Sequence, residues 1–399
     1  MSDMASVESG QPVVLLVTRN LPPLRGGMER LNQHIAMELA EAFRIVVVGP
    51  QGCRSQLPRN IDVYEVPTRP LWRFLWSAFV VAMRQSKRRR PKIVMAGSGL
   101  TAPIAVITAF FVRARSVVYA HGLDLVTPHV VYRLLWLPFL RVSDVCLVNS
   151  RNTARLANVA GIKSQRTSII HPGVALPSLS SADPARAQSF RRMHGLERHK
   201  ILLSVGRLTA RKGLLEFVRY ALPEIVKASP NAVLVVIGDE APDALQGRGE
   251  GTSTHLISCA SEMGLQQNLR LLGARDEAEL ESAYESADLC IFPVTERSGD
   301  VEGFGMVAIE AAAHGLCTIA FNVGGVGDAV VDGRSGALIE AGDYSGFAQR
   351  TIEMLGAGRS EQMRQSCVQF ASEFEWPKFG ARLRHCFVQL MTEDMVPHE

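Results

Sequence analysis

The 399 residues are 47% apolar and 21% charged, with a net charge of +4 and a pI near 8.7. These values describe a soluble globular protein, too long for one comfortable core and suited to two domains. They exclude a low-complexity or repeat chain, and no run reaches the roughly 18 consecutive apolar residues of a membrane-spanning helix.

Short apolar runs at 13–18, 45–49, 93–97, 117–119, 145–149, 201–205, 233–237, 289–292 and 317–321 alternate with helical patterns. Runs of that length separated by helices predict an α/β fold built on parallel sheets buried on both faces. The first ten residues are polar and carry acids, unlike a signal peptide. After the first run stand Arg25, Gly26 and Gly27 rather than a G-x-G-x-x-G fingerprint, so a dinucleotide-binding reading loses its main support. Gly26 and Gly27 permit close backbone approach to a phosphate or an acceptor, with Glu29 and Arg30 beside them; a plain turn is the alternative.

The apolar stretch 71–83 carries two Trp and leads directly into Lys87, Arg88, Arg89 and Arg90. A second apolar, aromatic stretch lies at 130–140. Basic residues beside Trp and Phe suit an anionic membrane surface, and a solvated helix end is the competing reading. No nucleic-acid module accompanies the basic run. His121 follows a strand and precedes Gly122, so it emerges at a strand end, where a satisfied structural histidine is the alternative to a site residue; Asp124 follows closely and is a candidate acceptor contact. Charge divides unevenly, with 22 Lys and Arg against 9 Asp and Glu in residues 1–178, and 21 against 30 in residues 179–399. The polar stretch 177–199 predicts a linker with a short helical insert. Seven cysteines are scattered without a C-x-x-C pair, which predicts a reduced compartment and no zinc site.

Two segments carry the chemistry. After the run at 201–205 come Gly206, Arg207, Leu208, Lys212 and Gly213, read as strand, loop and helix with both cations on the loop. Two cations near a helix start suit a diphosphate. About a hundred residues later stand Glu302, Gly303, Phe304, Gly305 and, eight positions after the first acid, Glu310. The glycines place a helix start near Gly305, whose first-turn N–H groups suit phosphate or sugar oxygens. Glu302 then lies on a loop and Glu310 lies more than one turn inside the helix. Carboxylates take paired hydrogen bonds from neighbouring hydroxyls, so one can hold a sugar and the other a ribose.

These residues together resemble the retaining glycosyltransferases of family four, which have the GT-B fold and carry G-R-L-x-x-x-K-G and E-x7-E segments. The resemblance implies two Rossmann-like domains whose parallel sheets face each other across a cleft. It predicts an acceptor-binding domain at 1–178, a linker at 179–199, a nucleotide-sugar-binding domain at 200–375, and a terminal helix at 376–399 that returns to the first domain. It further implies that Arg207 and Lys212 stabilise the leaving diphosphate, that Glu302 holds sugar hydroxyls and Glu310 the ribose, and that His121 reaches the donor sugar. Gly26, Gly27, Gly206, Gly303, Phe304 and Gly305 line the donor site in this reading, although the Phe304 ring is read as a packing group. The chain departs from the family pattern at His171-Pro172-Gly173, at Gly324 to Asp328 and at Gly238-Asp239-Glu240.

The expected reaction moves a hexose from a nucleotide diphosphate sugar, with retention, to a lipid-linked or polyprenyl-diphosphate-linked glycan. It needs no cofactor and no metal, and it takes place at the anionic inner face of the plasma membrane, with no nucleic acid involved. GDP-mannose ranks first as donor, and a transferase that uses UDP-glucose, UDP-GlcNAc or GDP-deoxyhexose with a soluble acceptor remains the alternative. A phosphorylase, an epimerase and a non-catalytic nucleotide-sugar-binding protein remain the readings from other classes.

Overall fold

The computed structural model describes residues 10–177, 184–240, 251–297 and 299–392. The chain divides into two compact units, one of residues 1–173 and 376–399, the other of residues 174–375.

Among the described residues of the first unit, seven parallel strands form one sheet in the order β3-β2-β1-β4-β5-β6-β7. They are β1 Val13–Val17, β2 Arg44–Pro50, β3 Asp62–Val66, β4 Ile93–Ala96, β5 Arg115–Ala120, β6 Val145–Val148 and β7 Thr167–Ile169. Strand order reverses between β1 and β4, which pair directly, for example Leu15 with Val94. The central strands are continuous runs of buried β-branched and aliphatic residues because helices cover both faces. One face is covered by the helices Leu71–Arg89 and Ala102–Val112, whose Phe74, Ala78, Ala82, Ala105 and Ala109 join the core. Small residues at fourfold spacing let the helix Leu71–Arg89 lie close on the sheet.

The terminal helix Trp376–Thr392 packs on the helix Gly27–Leu39 within this unit. Trp376 stacks flat on His34 at a centroid distance of 3.7 Å. Arg384 ties down the far end, donating to the Glu38 carbonyl at 2.7 Å and pairing with Glu41 at 2.7 Å. Burial, aided by Arg30, lowers the His34 imidazole to about 4, so the stack rests on a neutral ring. The unfolded chain takes up that proton near pH 6.5, so this contribution to stability is lost as pH falls from 6.5 through about 4. Trp376→Ala should cost about 3–5 kcal/mol by emptying the site beneath the helix. Urea unfolding at pH 7 and at pH 5 checks both statements, and an unchanged midpoint at pH 7 would remove the anchor.

In the second unit six parallel strands order as β10-β9-β8-β11-β12-β13 among the described residues. They are β8 Lys200–Val205, β9 Ala232–Ile237, β10 Leu269–Gly273, β11 Leu289–Phe292, β12 Thr318–Phe321 and β13 Gly336–Ile339. Here the order reverses between β8 and β11, paired through Leu202 with Leu289 and Leu203 with Cys290. Open α/β sheets receive ligands at the carboxyl ends of strands beside such a reversal. Two parallel sheets flanked by helices are the architecture the sequence predicts.

The linker expected at 179–199 is corrected over its helix. Residues 178–183 lie outside the described residues, but the helix Pro184–Met193 is an integral part of the second unit. Phe190 is buried in its core, Arg186 pairs with Glu285 at 2.9 Å, and Arg191 pairs with Asp288 at 3.0 Å. A polar, arginine-rich sequence resembles a linker, yet these guanidiniums spend their charge on carboxylates of the helix Glu277–Ser286 and of the bend that leads into β11.

Candidate active site

The candidate site of the second unit is assembled where β8 and β11 end. β8 runs into a turn, Ala210–Lys212, that closes on Gly213 with φ +66°. A side chain at Gly213 would place its first carbon 2.0 Å from the Pro293 carbonyl oxygen. Only glycine meets both the left-handed backbone and the close approach, so the turn after β8 lies directly on the exit of β11. The Thr295 N–H donates to the Arg211 carbonyl at 2.9 Å and fixes that register.

This contact brings Lys212 over the Phe292 ring, 4.7 Å from its centroid, with Nζ 3.0 Å from the Glu302 carboxylate. Arg211 pairs with the same carboxylate oxygen, and its Nε forms an ion pair with Asp300 at 2.9 Å. Burial alone would push the Glu302 carboxyl up, but Lys212 and Arg211 outweigh it and hold it down to about 2. Burial also lowers the Lys212 ammonium from its ordinary value; Glu302 opposes this, while Arg211 and Arg207 act with burial. Arg211 and Lys212 thus share Glu302, Arg211 also holds Asp300, and Arg207 stands near enough to act on Lys212. The local balance is positive, and an anion that shares Lys212 would relieve its strained charge. Arg207 is exposed beside Gly206.

From Glu302 the loop passes through Gly303, Phe304 and Gly305 into the helix Met306–Ala313, which begins where the sequence predicts. Its backbone is held by the neighbouring loop: the Gly325 N–H donates to the Glu302 carbonyl at 2.9 Å. The Phe304 ring is buried in the core, its centroid 5.7 Å from that of Phe374. Glu310 is half-buried one turn and a half into the helix, where the Tyr284 hydroxyl donates to it at 3.2 Å. The sequence pair Glu302 and Glu310 therefore has unlike surroundings: one sits among cations, the other beside a phenol.

The candidates of the first unit lie at the carboxyl ends of β1, β4 and β5. Gly26 and Gly27 are exposed at the start of the helix Gly27–Leu39. Glu29 folds back beneath Gly26 and accepts from the Asn20 amide at 2.8 Å, which shapes this turn. His121 is buried, with Nε2 donating to the Gly97 carbonyl at 3.3 Å. Asp124 is hydrogen-bonded within the unit. One oxygen accepts from the N–H groups of Gly99 and His121, both at 2.9 Å, and the other lies 3.3 Å from the Tyr132 hydroxyl. It bolts three loops together, because a helix-start carboxylate is the nearest acceptor for strand-end N–H groups.

Of the basic run, Lys87, Arg88 and Arg90 are exposed. Arg89 turns inward to pair with Asp62 and donates to the Tyr64 hydroxyl at 3.1 Å. Sequence reasoning missed Arg211, Asp300 and Tyr284. The first two carried a signal, since they adjoin Lys212 and Glu302 and are of opposite charge; Tyr284, in the helix Glu277–Ser286, carried none. Among the described residues no group of three or more His, Cys, Asp or Glu could hold a metal ion, and no helix is long and apolar enough to cross a membrane.

Residues 187–374 match the family model of glycosyl transferases group 1, and residues 25–176 match that of glycosyltransferase family 4. The chain is a glycosyltransferase. Its solved structural neighbours share the GT-B architecture of two α/β units. A glycosyltransferase from Rickettsia africae superposes with a TM-score of 0.79 at 16% identity, over 96% of this chain and 99% of that one. The Anabaena protein HepE, solved in complex with UDP-glucose, gives 0.77 at 17% identity over 94% and 99%. Among curated relatives, a GDP-mannose-dependent alpha-(1-6)-phosphatidylinositol monomannoside mannosyltransferase of Mycolicibacterium smegmatis is 26% identical over 93% of this transferase and 97% of its own length. A D-inositol 3-phosphate glycosyltransferase of Corynebacterium diphtheriae is 28% identical over 61% of this chain, a match that spans 56% of that relative.

Proposed function

We propose that this transferase moves a hexose from a nucleotide diphosphate sugar, GDP-mannose first, to a lipid-linked or polyprenyl-diphosphate-linked glycan, with retention at the anomeric carbon and without a metal. The observation that carries the reading is the Lys212–Glu302 pair at the strand reversal, with Arg207 beside it and a net positive balance. Breaking the bond between the sugar and the phosphate develops negative charge on the leaving diphosphate, which Lys212, Arg207 and the first-turn N–H groups after Gly305 stabilise. Glu302 takes hydroxyls of the sugar and Glu310 those of the ribose. The leaving phosphate oxygen accepts the proton of the attacking hydroxyl on the same face, so the donor configuration is kept. Charge neutralisation by side chains replaces a divalent ion. GDP-mannose ranks first because the relative aligned over nearly its whole length uses it. Thermal-shift measurements against GDP-mannose, UDP-glucose, UDP-GlcNAc and the free diphosphates test the donor. GDP-mannose at a hundredfold its Kd should stabilise by about 2.7 kcal/mol. Stabilisation by UDP compounds alone would replace the donor.

The acceptor side of the reading is supported by the surface of the first unit. Residues 66–143 contain 12 Lys and Arg and a single acid, Asp124, whose charge is spent internally. Along the helix Leu71–Arg89 the exposed positions Trp72, Trp76 and Val80 recur at fourfold spacing and give way to Arg84, Lys87 and Arg88. Aromatic side chains beside unpaired basic charge suit the interface of an anionic bilayer, where each Lys or Arg adds roughly 1 kcal/mol. The transferase would act there from the inner face of the plasma membrane, in glycolipid or surface polysaccharide assembly. Changing Lys87, Arg88 and Arg90 together to Gln should abolish sedimentation with vesicles of anionic phospholipid and leave nucleotide affinity unchanged. Salt should mimic the change in the wild type, and equal binding by both proteins would leave the run a solvated helix end.

A further inference from the structure

We propose that Arg211 is a positioning residue, which keeps Glu302 ionised and aimed at the sugar while Lys212 leaves it for the donor diphosphate. The inference rests on the transferase reading and adds a residue at a position that the G-R-L-x-x-x-K-G motif leaves unspecified.

Glu302 offers one oxygen to two cations, and those cations are held differently. Arg211 is fixed at several points. Its guanidinium spans Glu302 and Asp300, its backbone carbonyl accepts from Thr295, and its side chain is only 12% exposed. A planar fork tied to two carboxylates cannot turn to a ligand without stranding both. Lys212 is a point charge on a flexible stem, with Glu302 as its ion-pair partner and the face of Phe292 beneath it. Exposed Arg207 adjoins it. Lys212 is therefore the exchangeable partner and Arg211 the permanent one.

The arrangement solves a conflict within the site. A diphosphate needs the Lys212 ammonium, yet a buried carboxylate left without a cation takes up a proton and stops accepting hydroxyl hydrogens. With Arg211 in place, Lys212 can leave while Glu302 remains an acceptor. Asp300 completes the device by holding Arg211 from the opposite side, so that the guanidinium does not follow the incoming phosphate.

The test compares wild type with Arg211→Met and Arg211→Lys. Arg211→Met should lower kcat roughly 10- to 100-fold while the affinity for free nucleoside diphosphate, read by calorimetry, changes less than about threefold. With saturating free nucleoside diphosphate to draw Lys212 away, a carboxyl resonance assigned through Glu302→Gln should titrate above about pH 4 in Arg211→Met, where the wild type stays ionised, and kcat should gain a matching loss as pH falls. Arg211→Lys should restore most of both. A merely structural arginine would lower the melting temperature without moving the Glu302 titration, and that result overturns the proposal, as does a wild-type kcat in Arg211→Met. If Arg211→Met does not fold, a wild-type titration and kcat in Arg211→Lys paired with Asp300→Asn overturns it equally, since that pair removes the fork's second anchor. The titration needs only the free nucleoside diphosphate and no sugar transfer. A wild type that turns over no nucleotide sugar counts against the transferase reading, whereas an unmoved Glu302 counts against Arg211 alone.

Discussion

Replacing Lys212 by Ala should lower kcat by roughly 10²- to 10³-fold, the usual loss when one preorganised charge is removed from a transition state. The variant should fold, because Glu302 keeps Arg211 as an ion-pair partner and Asp300 keeps Arg211 in place. Arg207→Ala should reduce kcat in the same sense, with little effect on stability, since its side chain stands at the surface. Glu302→Ala should behave differently. It leaves Lys212 and Arg211 beside each other without the shared carboxylate, so it should lose both turnover and stability. Steady-state kinetics together with urea unfolding separate these outcomes. Near-wild-type turnover in Lys212→Ala would remove the diphosphate clamp from the account.

Gly325→Ala should be nearly as damaging, although its side chain touches no substrate. The added carbon would lie 2.0 Å from the Gly303 carbonyl oxygen and 2.9 Å from the Phe304 Cα. Both are backbone atoms, so no rotamer change relieves the overlap, and the loop carrying Glu302 must move. A shift of about 1 Å at a positioning element can cost about 10² in rate, which sets the expected loss in kcat. Melting should fall as well, because the bond from the Gly325 N–H to the Glu302 carbonyl is stretched. Gly356→Ala provides the control: it lies in the helix Tyr344–Ala357 with nothing within 4 Å of the added carbon. It should be neutral or stabilising by about 0.5–1 kcal/mol. Equal behaviour of the two variants would contradict the packing of loop on loop.

The strands that the sequence did not reveal are informative. Apolar runs predicted nine strands, all of them present, while β3, β7, β10 and β13 went unread. These four are the outer strands of the two sheets. A strand buried on both faces is a continuous apolar run, whereas an edge strand such as β7, Thr167–Ile169, is short, half-exposed and polar. The site divides in a similar way. Lys212, Glu302 and the helix start after Gly305 were legible because glycine and charge stand at fixed spacing. Tyr284 was not, since a tyrosine inside an amphipathic helix reads as core until Glu310 is seen beside its hydroxyl. The bonds of Asp124 to the Gly99 N–H and of Arg89 to Asp62 were not legible either, because sequence shows a charge but not the partner 25 residues or more away that meets it.

The most direct measurement follows the anomeric configuration of the transferred sugar by NMR, with GDP-mannose as donor, a polyprenyl-diphosphate-linked glycan as acceptor and EDTA throughout. The account predicts GDP release matched by a glycoside that keeps the donor's configuration, at a rate EDTA does not change. An inverted product, or turnover that EDTA abolishes and a divalent ion restores, would contradict it.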